Sequence, residues 1–208
     1  MPREKTIKEA VMGVPLIYRL FQHGIAKSTI LAYVVEEFIQ PRSKVWILDV
    51  GCGDAKIRKF LGDVNYVGVD HNPKYIAKAR KARGLNDEFY VADVSEVGQL
   101  FTNKFDRVLL IGVLHHLSDA QCQDLLRNCA QLLATDGHLF ALDPALIDDQ
   151  HPIARFLVKS DRGRFTRSPD DYKKFILEEF ASVVVTVRHD LLRIPYSHSI
   201  IVAKNDSG

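Results

Sequence analysis

Apolar positions along the chain fall into two periods. Ile30, Leu31, Val34, Val35, Phe38 and Ile39 recur at helical spacing, with Glu36 and Glu37 between them. The whole segment 1–40 has this helical character, and Pro41 ends it, because proline lacks an amide donor and disfavours helix at the residue before it. The period then changes. Val45–Val50 (VWILDV) is apolar without polar alternation, as in a strand buried on both faces of a parallel sheet. Asn65–Asp70, Glu88–Asp93, Phe105–Gly112 and His138–Asp143 repeat the theme, and most carry an aspartate near the carboxyl end, where open α/β sheets bind ligands.

Helical signals separate these runs. Asn72-Pro73 predicts an N-cap followed by proline at the first helical position, with Gly84 suited to the helix end. Ser118 with Gln121 three residues later predicts a capping box. Beyond it, Cys122, Leu125, Leu126, Cys129, Leu132 and Leu133 form the stripe of a helix packed on a sheet. Such alternation predicts right-handed crossovers and a Rossmann-like, doubly wound α/β sheet. Residues 145–168 break the rhythm as a polar, basic insert after the fifth strand. Ser168-Pro169 opens another helix with Tyr172, Phe175, Ile176 and Phe180 on one face. Ser182–Arg188 and Ser199–Lys204 read as strands joined by a link too short for a crossover helix, so they should be antiparallel. The expected organisation is a helical cap over residues 1–43 and one domain over 44–208, forming one compact unit.

Composition narrows the class. With 208 residues, 28 basic and 26 acidic side chains, the balance lacks the basic block of a nucleic-acid binder. No apolar run approaches the ~20 residues of a membrane span, and Met1–Ala10 has no apolar core of a secretory signal. Three cysteines, Cys52, Cys122 and Cys129, form no disulfide framework, and with these features the expected location is the cytoplasm. No metal motif is present, so no metal is expected.

The chemistry centres on Asp49-Val-Gly51-Cys-Gly53-Asp-Ala55, between the first strand and a helix. Glycines there allow a sharp turn and close approach of a ligand to the backbone. Lys56 occupies the place of the third glycine of G-x-G-x-x-G, which counts against a pyrophosphate on the helix N-terminus. Asp70, 19 residues after Gly51, can accept from a ribose diol, and Asp93 from an adenine amino group. Spaced carboxylates without a phosphate cradle suit a nucleoside that carries no phosphate.

Together, Ile47–Ala55 (ILDVGCGDA), Tyr66–Asp70, Asp93-Val94, Phe105–Leu117 (FDRVLLIGVLHHL) and Leu132–Pro144 (LLATDGHLFALDP) resemble the class I S-adenosylmethionine-dependent methyltransferases, from about Lys44 onward. Ala55 departs from the family, which often has a third glycine there. The resemblance implies a seven-stranded sheet of order 3-2-1-4-5-7-6 with strand 7 antiparallel. It implies S-adenosylmethionine as cofactor and S-adenosylhomocysteine as product. It also implies that Gly51 and Gly53 pass close to the methionine part and that Asp49 orients the loop and its ammonium contact. Asp70 would hold the ribose, with His71 beside the adenosine. Asp93 and Val94 would meet the adenine, and Gly112 would line the reactive sulfonium.

Methyl transfer from a sulfonium is an in-line displacement, so the protein mainly orients and excludes water. His115 and His116, after the fourth strand, are candidates for an acceptor contact or a base; capping the next helix or packing under the cofactor loop is the competing reading. In His151–Tyr172, Arg155, Arg162 and Tyr172 are candidates for the acceptor, since guanidiniums suit a carboxylate or phosphate. Against this stands a solvated basic helix face with Asp161 and Asp170 as partners, which is the expected role of Arg164 and Arg167. His198, in the turn before the last strand, could reach the same pocket. The expected activity is methyl transfer to oxygen or nitrogen of a small-molecule acceptor. Two other readings are a non-catalytic cofactor-binding protein and an NAD-dependent oxidoreductase. The latter is disfavoured because Tyr75 is followed four residues on by Ala79 rather than by lysine.

Overall fold

A computed structural model describes residues 25–82, 87–160, 164–192 and 194–206. Its sheet has seven strands in the order β3-β2-β1-β4-β5-β7-β6. These are β1 (Trp46–Val50), β2 (Asn65–Asp70), β3 (Glu88–Val91), β4 (Phe105–Ile111), β5 (Leu133–Pro144), β6 (Ser182–Arg188) and β7 (His198–Lys204). The first five pair in parallel, whereas β7 runs antiparallel to both β5 and β6. The order expected from the resemblance and the antiparallel final pair are both present.

Alternate side chains of each central strand feed two apolar layers, because successive residues point to opposite faces. Leu48, Val50, Val108, Leu110, Leu139 and Ile201 face one layer. It is closed by α4 (Asp119–Leu132) and α6 (Pro169–Leu177). Helix α4 buries the stripe read from the sequence, Cys122, Leu125, Leu126, Cys129 and Leu132, behind a capping box of Ser118 and Gln121. Ile47, Tyr66, Leu109, Phe140 and Ile200 face the other layer. Helices α1 (Ile25–Val34) and α2 (Pro73–Ala82) lie on that side; Ile30, Leu31 and Val34 of α1 and Ile76 and Ala79 of α2 are buried there. A π-turn over Val35–Ile39 continues α1 and ends at Gln40, whose amide donates to Val35 O at 2.8 Å, before Pro41. The described part of the N-terminal segment therefore pads the sheet; residues 1–24, and Gly84 at the expected end of α2, lie outside the described residues.

Three segments differ from expectation. The stretch after the glycine loop is a short 3-10 helix, Lys56–Phe60, entered through Ala55 at φ 52°. A side chain in that left-handed conformation costs roughly 1 kcal/mol, which is the physical reason for a glycine there. Inside the insert the helix is not simply a solvated one: α5 (Pro152–Ser160) buries Ala154, Leu157 and Val158. A small helix, α3 (Val97–Leu100), follows the 3-10 turn Val94–Glu96.

The insert is pinned by Arg167, which corrects its reading as part of a solvated face. Arg167 is buried. Its Nη1 donates to Leu114 O and Phe165 O at 3.0 and 3.1 Å, and Nη2 to Leu117 O at 2.9 Å and Asp119 Oδ1 at 2.7 Å. A planar fork reaches four acceptors that no single hydration shell would align. Removing it strands the buried carbonyls of Leu114 and Leu117, so Arg167→Ala should lower unfolding free energy by roughly 3 kcal/mol in urea titration. Arg164→Ala, at an exposed position, should stay within about 0.5 kcal/mol. Equal losses in the two variants would refute the clasp.

Candidate functional site

The carboxyl ends of β1, β2, β4 and β5 converge on one rim. Between β1 and the 3-10 helix the chain turns through Gly51 at φ +74° and Gly53 at φ +56°. The Gly51 and Cys52 amides both donate to Val69 O, at 2.8 and 3.0 Å, clamping the loop to β2. A Cβ on Gly51 would sit 2.6 Å from Val113 Cγ2, whereas one on Gly53 would meet nothing within 4 Å. The loop is thus closed on its protein side at Gly51 and open at Gly53, where a ligand could meet bare backbone.

Two carboxylates organise this loop. Asp70 is buried, with Oδ2 accepting from Gly53 N at 2.9 Å and Oδ1 from Asn72 N at 2.8 Å. Both oxygens keep a lone pair, since a carboxylate offers about four acceptor sites. Asp49 is also buried and accepts from the Tyr66 hydroxyl at 2.5 Å. Burial pushes its carboxyl up to about 7; the Tyr66 hydrogen bond opposes the rise and the Asp70 charge adds to it. Tyr66 was missed in the sequence, where it reads as one more apolar strand residue. Burial also pushes the Cys52 thiol well up, the state of a packed cysteine and not of a nucleophile.

Beyond β2 and β3 lie the residues expected at the adenosine. His71 is exposed, with Nδ1 3.7 Å from Asp70 Oδ1. Asp93 caps the turn that begins at Val94. Its Oδ1 accepts from the Ser95 amide at 3.0 Å and hydroxyl at 2.8 Å, which hold the carboxyl below the usual range.

At the ends of β4 and β5, Gly112 takes φ +70° and donates to Leu142 O at 2.8 Å. Just beyond, His115 lies in a 3-10 turn, Leu114–His116. Its backbone amide donates to Asp143 Oδ1 at 3.1 Å, and its Nδ1 lies 2.5 Å from the same oxygen. Both residues are buried, at 5% and 0% exposure. The ring's Cε1 faces Gly112, 3.7 Å from where a Cβ would stand. His116 is exposed and stacks on His115 with ring centroids 4.0 Å apart. Asp143 was not singled out in the sequence; its partner lies 28 residues away and only the parallel pairing of β4 with β5 joins them.

The acceptor candidates are placed less uniformly. Arg155 is half-buried and its Nη1 donates to Ile147 O at 3.1 Å. Arg162 lies outside the described residues. Tyr172 is fully buried, with its hydroxyl donating to Pro144 O at 3.2 Å; its helix turns that stripe into the core, so the ring supports the end of β5 and does not open to a ligand. His198 opens β7 opposite Pro144, packed on the Tyr196 ring at 4.8 Å. A groove of about 530 Å³ lined by Val35, Gln40, Phe60 and Gly62 lies at the amino ends of the strands, away from this rim.

Residues 47–137 match the family described as a methyltransferase domain. No curated protein gives a significant sequence match. Among solved structures, the chain resembles the plantazolicin methyltransferase BamL, solved with a triazolic desmethyl analogue and S-adenosylhomocysteine, at 16% identity and TM-score 0.62 over 86% of this chain and 83% of that one. A TehB-like S-adenosylmethionine-dependent methyltransferase from Corynebacterium glutamicum shares 18% identity over 85% and 88% of the chains, with TM-score 0.61. The mitomycin 7-O-methyltransferase MmcR shares 18% over 91% of this chain but 58% of its own, with TM-score 0.68. At these identities the likeness establishes the fold. Joined to the strand order, these findings place a match to a methyltransferase domain, residues 47–137, on a seven-stranded sheet of the Rossmann-like methyltransferase fold.

Proposed function

We propose that the chain transfers a methyl group to an oxygen or nitrogen of a small-molecule acceptor seated at the rim formed by His115, Gly112 and the insert. The observation that carries this reading is the buried His115–Asp143 pair beside Gly112. When bound, S-adenosylmethionine supplies an activated methyl on a sulfonium. The glycine loop fits such a group: Gly53 leaves open space beside a positive-φ backbone, and no third glycine frames a pyrophosphate. Asp70 would hold the ribose hydroxyls with its remaining lone pairs, Asp93 and Val94 the adenine, and His71 the exposed side of the adenosine. Asp49 would meet the ammonium.

His115 is held as the Nδ1–H tautomer by Asp143, which leaves Nε2 to take a proton from an acceptor hydroxyl or amine. Asp143 then stabilises the imidazolium that forms, as the third member of a triad does. Arg155 and Arg162 in the insert would favour an acceptor with an anionic group, and His198 would border the pocket.

Calorimetric titration with S-adenosylhomocysteine, beside NAD, tests the cofactor assignment, and a labelled methyl donor with an acceptor panel tests turnover. Binding of S-adenosylhomocysteine alone is expected. Binding of NAD alone would overturn the reading; cofactor binding without transfer to any hydroxyl or amine would favour a non-catalytic protein.

The titration of Asp49 gives a pH prediction. Its ionised form, the one that attracts an ammonium, grows as pH rises through about 7. Affinity for S-adenosylhomocysteine should therefore fall about tenfold from pH 8 to pH 6, and Asp49→Asn should flatten that slope. Without ligand the sign is opposite: the folded chain keeps a proton that the unfolded chain releases between 3.8 and about 7, so stability falls as pH rises across that window. A pH-independent affinity in the unsubstituted protein would remove Asp49 from the ammonium contact.

A further inference from the structure

The insert helix α5 buries one side and leaves an apolar strip on the other. Ala154, Leu157 and Val158 are buried, the last two packed with Tyr196. A helix packed in this way normally turns polar residues to water. Here Ile153 and Phe156, one turn apart, are 54% and 44% exposed, and Phe165 after the helix is 39% exposed. Cations flank the strip. Lys159, about 60° round the helix from Phe156, is exposed, as is Arg164 beside Phe165. Among the described residues, Arg155, Lys159 and Arg164 have no carboxylate partner. The exposed Asp148 and Asp149 precede the helix, where acidic side chains complement its dipole.

We propose that the exposed Ile153–Phe156 side of α5, with Lys159, docks on a lipid bilayer carrying anionic headgroups. Ile153 and Phe156 lie on the outer surface of a single helix, which suits a flat interface; a peptide helix would need a groove. Aromatic and aliphatic side chains enter the headgroup boundary while neighbouring cations meet anionic lipid, and the two signals together give binding that neither gives alone. The turn that follows α5 meets the rim, where the Phe165 amide donates to His115 O at 3.0 Å. Docking would therefore bring the His115 rim to the interface, where a lipophilic acceptor resides. This last consequence rests on the methyl-transfer reading; the docking itself does not.

Co-sedimentation with phosphatidylcholine vesicles, with and without phosphatidylglycerol, tests it on the full chain. The protein should bind the mixed vesicles, bind phosphatidylcholine alone weakly, and dissociate at high salt. Ile153→Ser with Phe156→Ser should abolish binding, and Lys159→Glu should weaken it by about fivefold or more, with S-adenosylhomocysteine affinity and melting temperature unchanged. No binding to mixed vesicles, or equal binding by the double variant, would overturn the proposal. So would a large fall in the double variant's melting temperature, which would mean that another part of the chain covers the face. A dimer that the double variant dissociates would assign the face to a second copy and likewise overturn docking. Vesicle binding without S-adenosylhomocysteine binding would sink the functional reading and leave docking standing; the reverse result would do the opposite.

Discussion

Asp143→Asn should cut turnover by about two to four orders of magnitude, while S-adenosylhomocysteine affinity stays within about threefold. Asp143 Oδ1 accepts from both the His115 amide and Nδ1. An asparagine can satisfy those donors only by turning its oxygen toward them, and it then offers no negative charge to an imidazolium. Turned the other way, its amide donates to Nδ1 and moves the proton to Nε2, which removes the lone pair needed by the acceptor. His115→Ala should lose a similar factor, and the double variant should lose little more, because residues that act as one unit are not additive. A purely structural pair would behave differently. Melting temperature would fall, as expected when a buried charge loses its partner at a cost of roughly 3–5 kcal/mol, but turnover per folded molecule and its pH profile would stay unchanged. That outcome would return His115 to the role of helix cap.

A second large effect is expected at the glycine loop, where two neighbouring glycines should fail for different reasons. Gly51→Ala places a side chain at φ +74° with its Cβ 2.6 Å from Val113 Cγ2. The left-handed conformation costs roughly 1–2 kcal/mol, and overpacking against a stiff β-branched neighbour adds roughly 1–3 kcal/mol. Melting temperature should drop sharply even without ligand. Gly53→Ala shares the positive φ but meets nothing within 4 Å, so only the conformational cost of roughly 1 kcal/mol applies to the free protein. Its methyl instead enters the space assigned to the ligand. Gly53→Ala should therefore bind S-adenosylhomocysteine at least about tenfold more weakly, a loss of roughly 1.4 kcal/mol, at a modest cost in stability. If Gly53→Ala binds normally, the open side of the loop is not the ligand's side.

Much of this was legible in the chain itself. The stripe from Cys122 to Leu132 and the caps at Ser118 and Ser168 appear where side-chain spacing placed them, since helix packing and capping depend on residues three and four apart. The insert was harder. Its polar composition concealed the buried side of α5, and Arg167 read as a solvated cation although it is buried. A guanidinium's fate depends on carbonyls that come from another turn of chain, and no local pattern announces them. The same holds for Tyr172, which spacing placed on a helix face but could not assign to core or pocket.

The sequence by itself determined the alternation of strands and helices, the apolar stripes of the helices that pack on the sheet, and the two-glycine loop between carboxylates. These follow from periods of 2 and 3.6 and from the conformational freedom of glycine, which are properties of short segments. Only the tertiary structure decided which groups act on one another. Strand order set Tyr66 against Asp49 and Asp143 against His115, and in each pair burial removed the water that would otherwise weaken the contact. Hydrogen bonds and charges acquire strength from desolvation, and desolvation is a property of the packed sheet rather than of any segment within it.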